Sequence, residues 1–259
     1  MTAAISAEWL KLRRSRLWWI TLLATTVAAL AGALFIFIGQ DPDRARALGL
    51  LGAKAQLASI PADWKGHYGL LDQIIAVGGI CIFGILTIWM FGREYADRTM
   101  KDLLALPTSR TAIICAKFIV IDAWCLLLTG YAYAIGLATG ALLRLPGWSL
   151  GVAGFGLLRL VVTAAMTIGL TTVLALAASI GRGYLAAFGT MIVTVFLAQI
   201  IAALGYGQYF PWSVPALFSG IAGPDTSSLP VLSFVSVAAV VLAATTATVV
   251  WANRADQAG

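Results

Sequence analysis

The segment at positions 93–102 concentrates charge in an otherwise apolar chain, and its residue types suit ion pairing and docking. Six of its ten residues are charged. Glu94 precedes Arg98 by four positions and Asp97 precedes Lys101 by four, so each pair would share one face of a helix. With the acidic residue first, each pair stabilises a helix by about 0.2–0.5 kcal/mol. The spacing therefore predicts a short charged helix.

The end of this helix is marked by Pro107, and Thr108 or Ser109 can cap the helix that follows. The whole segment, 93–110, separates two apolar runs of membrane length, and its charges exclude it from lipid. Two interpretations stay open. The segment is either a docking element for a cytoplasmic partner or a solvated turn whose basic residues only set the orientation of the chain.

Motifs for covalent or metal chemistry are missing from the sequence. It contains no G-x-x-x-x-G-K-[ST], so the chain cannot bind ATP as a P-loop protein. It contains no H-E-x-x-H or G-x-S-x-G motif either. We therefore expect no catalytic, cofactor-binding or metal-ligating residue, and a role that is not enzymatic.

The composition is that of an integral membrane protein. Of 259 residues, 61% are hydrophobic and 11% are charged, whereas a soluble domain carries about 25% charged residues. A membrane-spanning helix needs about 20 apolar residues. Six runs meet that length, at 17–39, 70–91, 118–142, 157–179, 184–204 and 229–251. The sequence predicts an all-α, six-span, single transmembrane domain over 1–259.

The distribution of basic residues predicts the orientation of the spans. With both termini in the cytoplasm, 11 Lys and Arg residues lie inside and 6 lie outside. Four of the inner ones precede the first span directly, where their effect on orientation is greatest. We expect a multi-pass protein of the inner or plasma membrane with both termini cytoplasmic and no nucleic-acid partner.

The residues before the first span have the pattern of an amphipathic helix over 4–16. Apolar residues recur at i, i+4 and i+7, as Ile5, Trp9 and Leu12. Glu8, Lys11 and Ser15 recur on another face, and Glu8, Lys11 and Arg14 are the candidate functional residues of this helix. Such a helix suits the membrane interface. The alternative is a basic flank with no further role.

The segment at 206–221 is apolar and aromatic but interrupted by prolines, which excludes a regular span. Its distinctive residues are Tyr209, Pro211, Trp212 and Pro215. Irregular backbone at membrane depth must be buried against protein. We predict an outer re-entrant hairpin, which serves either as an outer gate or as an interfacial anchor.

We single out Asp122, an acidic residue within the third predicted span. Charge inside a membrane is costly and is a functional hypothesis by default. Asp122 lies near the inner end of its span, five positions after Lys117. It is therefore either one half of a structural pair with a neighbouring helix or the proton site of a secondary transporter.

The charged segment also resembles a known family, the permease subunits of type-2 ATP-binding-cassette (ABC) transporters. The residues that carry the resemblance are Glu94-Tyr95, Thr99, Lys101, Leu104, Pro107, Ser109, Arg110 and Lys117, with Glu8, Lys11, Leu12 and Ser15 at the N-terminus. The six-span plan extends it over nearly the whole chain. The small size most resembles permeases of bacitracin-resistance and lantibiotic-immunity exporters.

The resemblance implies a function and a set of partners. Segment 93–110 would be a coupling helix that docks on a separate cytoplasmic ATPase, which would bind ATP and Mg. The docking candidates are Glu94, Arg98, Thr99, Lys101, Pro107 and Arg110. A second copy or a paralogue would complete a dimeric path, packed through small residues at 132–141 and 169–178.

The substrate class is not fixed by these residues. The apolar spans, surrounded by membrane lipid, suit export of a hydrophobic or amphipathic substrate, whether a peptide antibiotic, a drug or a lipid. The alternatives to an ABC permease are a secondary transporter that uses Asp122 and a membrane scaffold or channel.

Overall fold

The fold consists of helices throughout the part of the chain that the computed structural model describes, residues 1–41, 49, 61–97, 99, 108–221 and 229–254. The α-helices are α1 (Thr2–Arg14), α2 (Leu17–Gln40), α3 (Trp64–Ala96), α4 (Arg110–Leu142), α5 (Leu150–Leu170), α6 (Thr172–Ile180), α7 (Tyr184–Ala203), α8 (Val214–Phe218) and α9 (Val231–Arg254). Two 3₁₀ turns, Gly207–Tyr209 and Pro211–Ser213, precede α8.

Six stretches of the described residues are long and apolar enough to cross a membrane. They are α2, α3, α4, α5 together with α6, α7 and α9, with mean hydropathies of 2.1 to 2.4. The predicted all-α, six-span, multi-pass membrane protein is confirmed. Six crossings place α1 and the end of α9 on the same side of the membrane, which is the cytoplasm in the predicted orientation.

The second and third spans belong to helices longer than the predicted runs 70–91 and 118–142. Helix α3 begins after Asp63, whose carboxylate accepts a hydrogen bond from the Gly66 backbone N–H. Helix α4 begins after Ser109, whose hydroxyl accepts from Ala112, so the predicted Ser109 cap is present. Both helices continue through charged residues that end an apolar run in the sequence.

The fourth span also begins earlier than the predicted run 157–179. Ser149 caps α5 at Leu150, and its hydroxyl accepts from the Val152 backbone N–H. A turn at Thr171 then separates α5 from α6, where the Thr87 hydroxyl of α3 donates to the Thr171 hydroxyl at 3.0 Å. The span is therefore one membrane crossing made of two helices.

Helix α3 is the centre of the bundle and contacts α2, α4, α5, α6 and α7. Its apolar window is 61% buried, against 11% for α7 and 22% for α9. Its fully buried side chains include Phe83, Leu86 and Ile88. Any movement of α3 would therefore change its contacts with most of the other spans.

Two glycines of α4 let α3 approach closely. A Cβ on Gly136 would lie 2.2 Å from Leu71 Cδ1, and one on Gly140 would lie 2.6 Å from the Trp64 ring. Both distances are far inside van der Waals contact. Gly136 and Gly140 belong to the small-residue stretch 132–141, and they pack two spans of the same chain closely together. The packing of two copies through 132–141 and 169–178 stays a prediction.

Candidate functional site

The N-terminal helix α1 lies against the beginning of α4, at the end of the bundle where segment 93–110 also begins and ends. Its apolar face is fixed by Leu12, which is 1% exposed. The Trp9 ring meets the Trp124 ring edge-on, with centroids 6.0 Å apart. The helix predicted over 4–16 is therefore α1, at Thr2–Arg14, and it contacts α4, the helix of the third span.

Four charged residues from α1, α3 and α4 converge beneath this helix, and we call them the ion quartet: Glu8, Lys11, Glu94 and Lys117. Lys11 Nζ lies 2.6 Å from Glu8 Oε1 and 2.9 Å from Glu94 Oε1. Lys117 Nζ lies 2.8 Å from Glu94 Oε1 and 3.4 Å from Glu8 Oε2. Each cation therefore bridges both carboxylates, and the four charges cancel.

The quartet is buried, which makes each of its members dependent on the others. Glu8 and Lys117 are each 2% exposed and Glu94 is 6% exposed. Lys117 also donates a hydrogen bond to the Met90 carbonyl at 2.7 Å. A buried ion pair contributes little net stability, but removing one partner leaves an uncompensated charge and costs about 3–5 kcal/mol.

Lys11 is the member that reaches toward solvent, and its side chain is 33% exposed. Burial lowers the pKa of Lys11, but the neighbouring carboxylates of Glu94 and Glu8 outweigh this and hold the pKa above its ordinary value. Lys11 therefore stays charged at physiological pH. The ion pairs of the quartet join α1 to the end of α3 and the beginning of α4.

The predicted docking residues divide into two groups. Glu94, Thr99 and Arg110 are described, whereas Arg98, Lys101 and Pro107 lie outside the described residues. Glu94 is buried within the quartet and is not on a free helix face. Thr99 is exposed, and its backbone N–H donates to the Glu94 carbonyl at 3.0 Å. Arg14, predicted with the entry helix, is exposed and lies outside the quartet.

The described residues contain one ion pair with the predicted i to i+4 spacing, and it lies one helical turn before the predicted Asp97–Lys101 pair. Arg93 Nε lies 3.1 Å from Asp97 Oδ2, an i to i+4 pair at the end of α3. The predicted partners of Glu94 and Asp97, Arg98 and Lys101, lie outside the described residues. Glu94 itself forms ion pairs with Lys11 and Lys117.

The root of α4 is also tied to the C-terminal end of α9. Arg110 donates from Nη1 to the Ala252 carbonyl at 3.1 Å. Asn253 Nδ2 donates to the Thr111 hydroxyl at 3.0 Å. Segment 93–110 thus emerges from two helices that are fixed to α1 on one side and to the last span on the other.

At the opposite end of the bundle, the predicted hairpin at 206–221 forms the two 3₁₀ turns and α8. Ser213 Oγ donates to the Ala198 carbonyl of α7 at 3.0 Å, and Ser233 Oγ of α9 donates to the Gln208 carbonyl at 2.7 Å. Tyr209 is 60% exposed. Pro211 and Trp212 are half-buried and Pro215 is buried.

The hairpin covers a cavity of about 330 Å³ between α3, α5 and α7. The cavity is mostly apolar, with lining residues that include Ala76, Leu170, Ala198, Trp212 and Leu217. The hairpin is therefore positioned over a space among three spans. Its role as a gate stays a prediction.

The charged residues inside the spans include more than Asp122, the one singled out in the sequence. Asp122 is exposed on the side of α4, and no ion pair or hydrogen bond to it is found among the described residues. Asp72 of α3 is also an acidic residue within a span, and it is buried at 2% exposure. Arg159 Nε of α5 lies 3.4 Å from Asp72 Oδ2. The prediction of Asp122 as the intramembrane charge missed this pair.

The described residues offer no group of three His, Cys, Asp or Glu side chains that could hold a metal ion. What the quartet does chemically is hold three helices together through ion pairs. It joins three elements without covalent bonds, so a force on one element is transmitted to the other two.

Comparison with known proteins covers the same elements. A sequence model of the ABC-2 family of transporter proteins matches residues 4–199, a stretch that includes most of α1, all four quartet residues and most of α7. The bacitracin transport permease protein BCRB of Bacillus licheniformis is 28% identical over 208 residues. That similarity covers 80% of this chain and 99% of the relative.

Proposed function

The chain belongs to the ABC-2 family of transporter proteins, and on that premise we propose that it is the permease subunit of an ATP-driven exporter. Its motor is a separate cytoplasmic ATPase that binds ATP and Mg. These 259 residues contain no P-loop motif, which fits a motor on a separate chain. The six candidate spans supply the membrane path.

The observation that carries the proposal is the ion quartet at the base of segment 93–110. Glu94 lies just before the segment's central charges and Lys117 lies seven residues after its end. Because the two are joined by a 2.8 Å ion pair, the roots of α3 and α4 are held together. An ATPase that pushes on the segment would therefore move both helices, with α1, as one unit.

The quartet gives the docking candidates two different roles. Buried Glu94 positions the segment, because its carboxylate is already bound by Lys11 and Lys117. Contact with the ATPase is assigned to Arg98, Thr99, Lys101 and Pro107. Arg110 holds the far end of the segment through its bond to Ala252.

The substrate in this proposal is an amphipathic peptide antibiotic of the bacitracin kind. The name of the relative from Bacillus licheniformis supports that class. The apolar lining of the 330 Å³ cavity beneath the hairpin also suits a hydrophobic or amphipathic molecule. The chain forms half of a dimeric path with a second copy or a paralogue, and α7, only 11% buried, leaves an apolar side free for that contact.

Co-purification with an ATPase tests the proposed function. The tagged chain, extracted from its native membrane in mild detergent, is expected to retain a P-loop ATPase whose hydrolysis rate rises when bacitracin is added. The same preparation without the tagged chain is the control. A chain that retains no ATPase, together with ATP-independent movement of bacitracin across the membrane, would contradict the proposal.

A further inference from the structure

A second cavity, of about 440 Å³, lies between α3 and α5 near the end at which both helices begin. Among its lining residues are Lys65, Tyr68, Asp72, Phe155 and Arg159. Helices rise about 1.5 Å per residue, so Asp72 lies roughly 12 Å from the start of α3. Phe155 is 62% exposed on the outer surface of the bundle. The cavity therefore adjoins the region where lipid headgroups meet acyl chains.

The carboxylate at the buried end of this cavity is incompletely hydrogen-bonded. Asp72 is 2% exposed, and neither of its oxygens accepts a hydrogen bond of good geometry from the described residues, although the Thr163 hydroxyl and the Arg159 guanidinium lie near it. The buried Tyr68 hydroxyl, in the same lining, also makes none with them. An ionised carboxylate has about four acceptor positions, and buried polar groups are normally hydrogen-bonded. The cavity is therefore built to receive a donor, and a cationic one best matches the carboxylate.

Arg159 does not meet that need, because its guanidinium is shared with the hairpin. Its Nε lies 3.4 Å from Asp72 Oδ2. Its Nη2 donates to the Phe218 carbonyl, and its guanidinium lies 5.2 Å from the centre of the Phe218 ring. Arg159 thus offsets the charge of Asp72 but leaves the carboxylate oxygens open to another donor.

The three charged residues that line the cavity differ in burial. Asp72 is at the buried end, Arg159 is half-buried, and Lys65 is exposed. A ligand that satisfies all three carries a cation at its tip and an anion behind it. A ligand with an anion alone would face Asp72 unfavourably, and one with a cation alone would leave Lys65 unused.

We propose that this cavity binds the headgroup of a phospholipid that has a primary ammonium next to its phosphate, as in phosphatidylethanolamine. The ammonium donates to Asp72, and the phosphate lies between Lys65 and Arg159. The acyl chains run along the exposed apolar side of α5 beside Phe155. A primary ammonium fits better than a quaternary one because only the former has N–H groups to donate. The site is independent of the proposed ATPase coupling.

A glycine in the lining provides a clean test. Gly69 lines the cavity, and a Cβ added there has no atom within 4 Å. Gly69→Leu therefore fills the cavity without a clash on its own helix. Gly154→Leu is the matched control, since its added Cβ also meets open space but Gly154 of α5 is outside the lining.

The measurement is lipid retention by native mass spectrometry after incubation with an equal mixture of phosphatidylethanolamine, phosphatidylglycerol and phosphatidylcholine. We expect the native chain and Gly154→Leu to retain phosphatidylethanolamine about tenfold over either other lipid, because hydrogen bonds to a charged group are among the strong ones. Gly69→Leu removes the retention, and Asp72→Asn removes the preference over phosphatidylcholine.

Three results would overturn this assignment. One is equal retention of the three lipids by the native chain. Another is an unchanged preference for phosphatidylethanolamine in the Gly69→Leu variant, when this variant melts at the same temperature as the Gly154→Leu variant. Preferential retention of phosphatidylglycerol would also overturn it, because that headgroup carries no cation for Asp72.

Discussion

Replacing Lys117 with methionine is expected to destabilise the chain by about 3–5 kcal/mol, because it leaves two buried carboxylates with Lys11 as the single cation of the quartet. Lys117 is 2% exposed and contacts Glu94, Glu8 and the Met90 carbonyl. Methionine keeps most of the length of the side chain, so the loss reports the charge. The measurement is thermal unfolding of the detergent-purified chain, followed by intrinsic tryptophan fluorescence.

Two variants in α1 serve as comparisons for the stability loss expected of Lys117→Met. Lys11→Met is expected to cost less, since the side chain of Lys11 is 33% exposed and solvent replaces part of what is lost. Arg14→Met, which removes an exposed charge outside the quartet, is expected to stay within about 0.5 kcal/mol of the native chain. Equal melting temperatures for Lys117→Met and Arg14→Met would show that the quartet does not hold α1 to the spans.

Reversing two charges in segment 93–110, with Arg98→Glu and Lys101→Glu together, is expected to separate the permease from its ATPase. If these residues face an acidic cleft, the reversal creates like-charge contacts that cost several kcal/mol. A loss of that size weakens binding by at least about 100-fold, since each 1.4 kcal/mol is a factor of ten. The measurement is the ratio of ATPase to permease after affinity purification.

The control for this experiment is Arg254→Glu. Arg254 is the exposed last residue of α9 and lies at the same end of the bundle as the quartet. It should change neither the ATPase ratio nor the melting temperature. If the double variant co-purifies with as much ATPase as Arg254→Glu does, segment 93–110 is a solvated turn with no docking role.

The six spans could be predicted from hydropathy because an uninterrupted apolar run of about 20 residues is typical of a helix that crosses a membrane. Their ends could not. Helices α3 and α4 continue past the predicted ends, through Glu94 and Lys117, because ion pairing from neighbouring helices removes the penalty of charge near the membrane. A hydropathy window sees only the charge and not its partner.

The residues of the quartet could be named from sequence but not brought together. Glu8 and Lys11 share a helix face, and Glu94 and Lys117 belong to the family pattern. Their contacts, however, join positions 83 and 109 residues apart, which no local spacing reports. The helix pattern also suggested that Glu94 faces a partner, whereas the structure buries it beneath α1.

The Asp72–Arg159 pair was not predicted, although the sequence contains the information needed to predict it. Asp72 and Arg159 fall inside two different predicted spans and have opposite charges. Charges within spans tend to pair with one another, so the two could have been assigned as partners. Asp122, the residue singled out instead, lies on the exposed side of α4.

The most direct test of the proposed function is bacitracin transport in proteoliposomes that contain the purified chain with or without its ATPase. We predict transport only when the ATPase and Mg-ATP are both present, and none from an imposed proton gradient. Asp122→Asn should transport as the native chain does. Gradient-driven transport by the chain alone, abolished in Asp122→Asn, would contradict the ATP-driven permease and identify a secondary transporter.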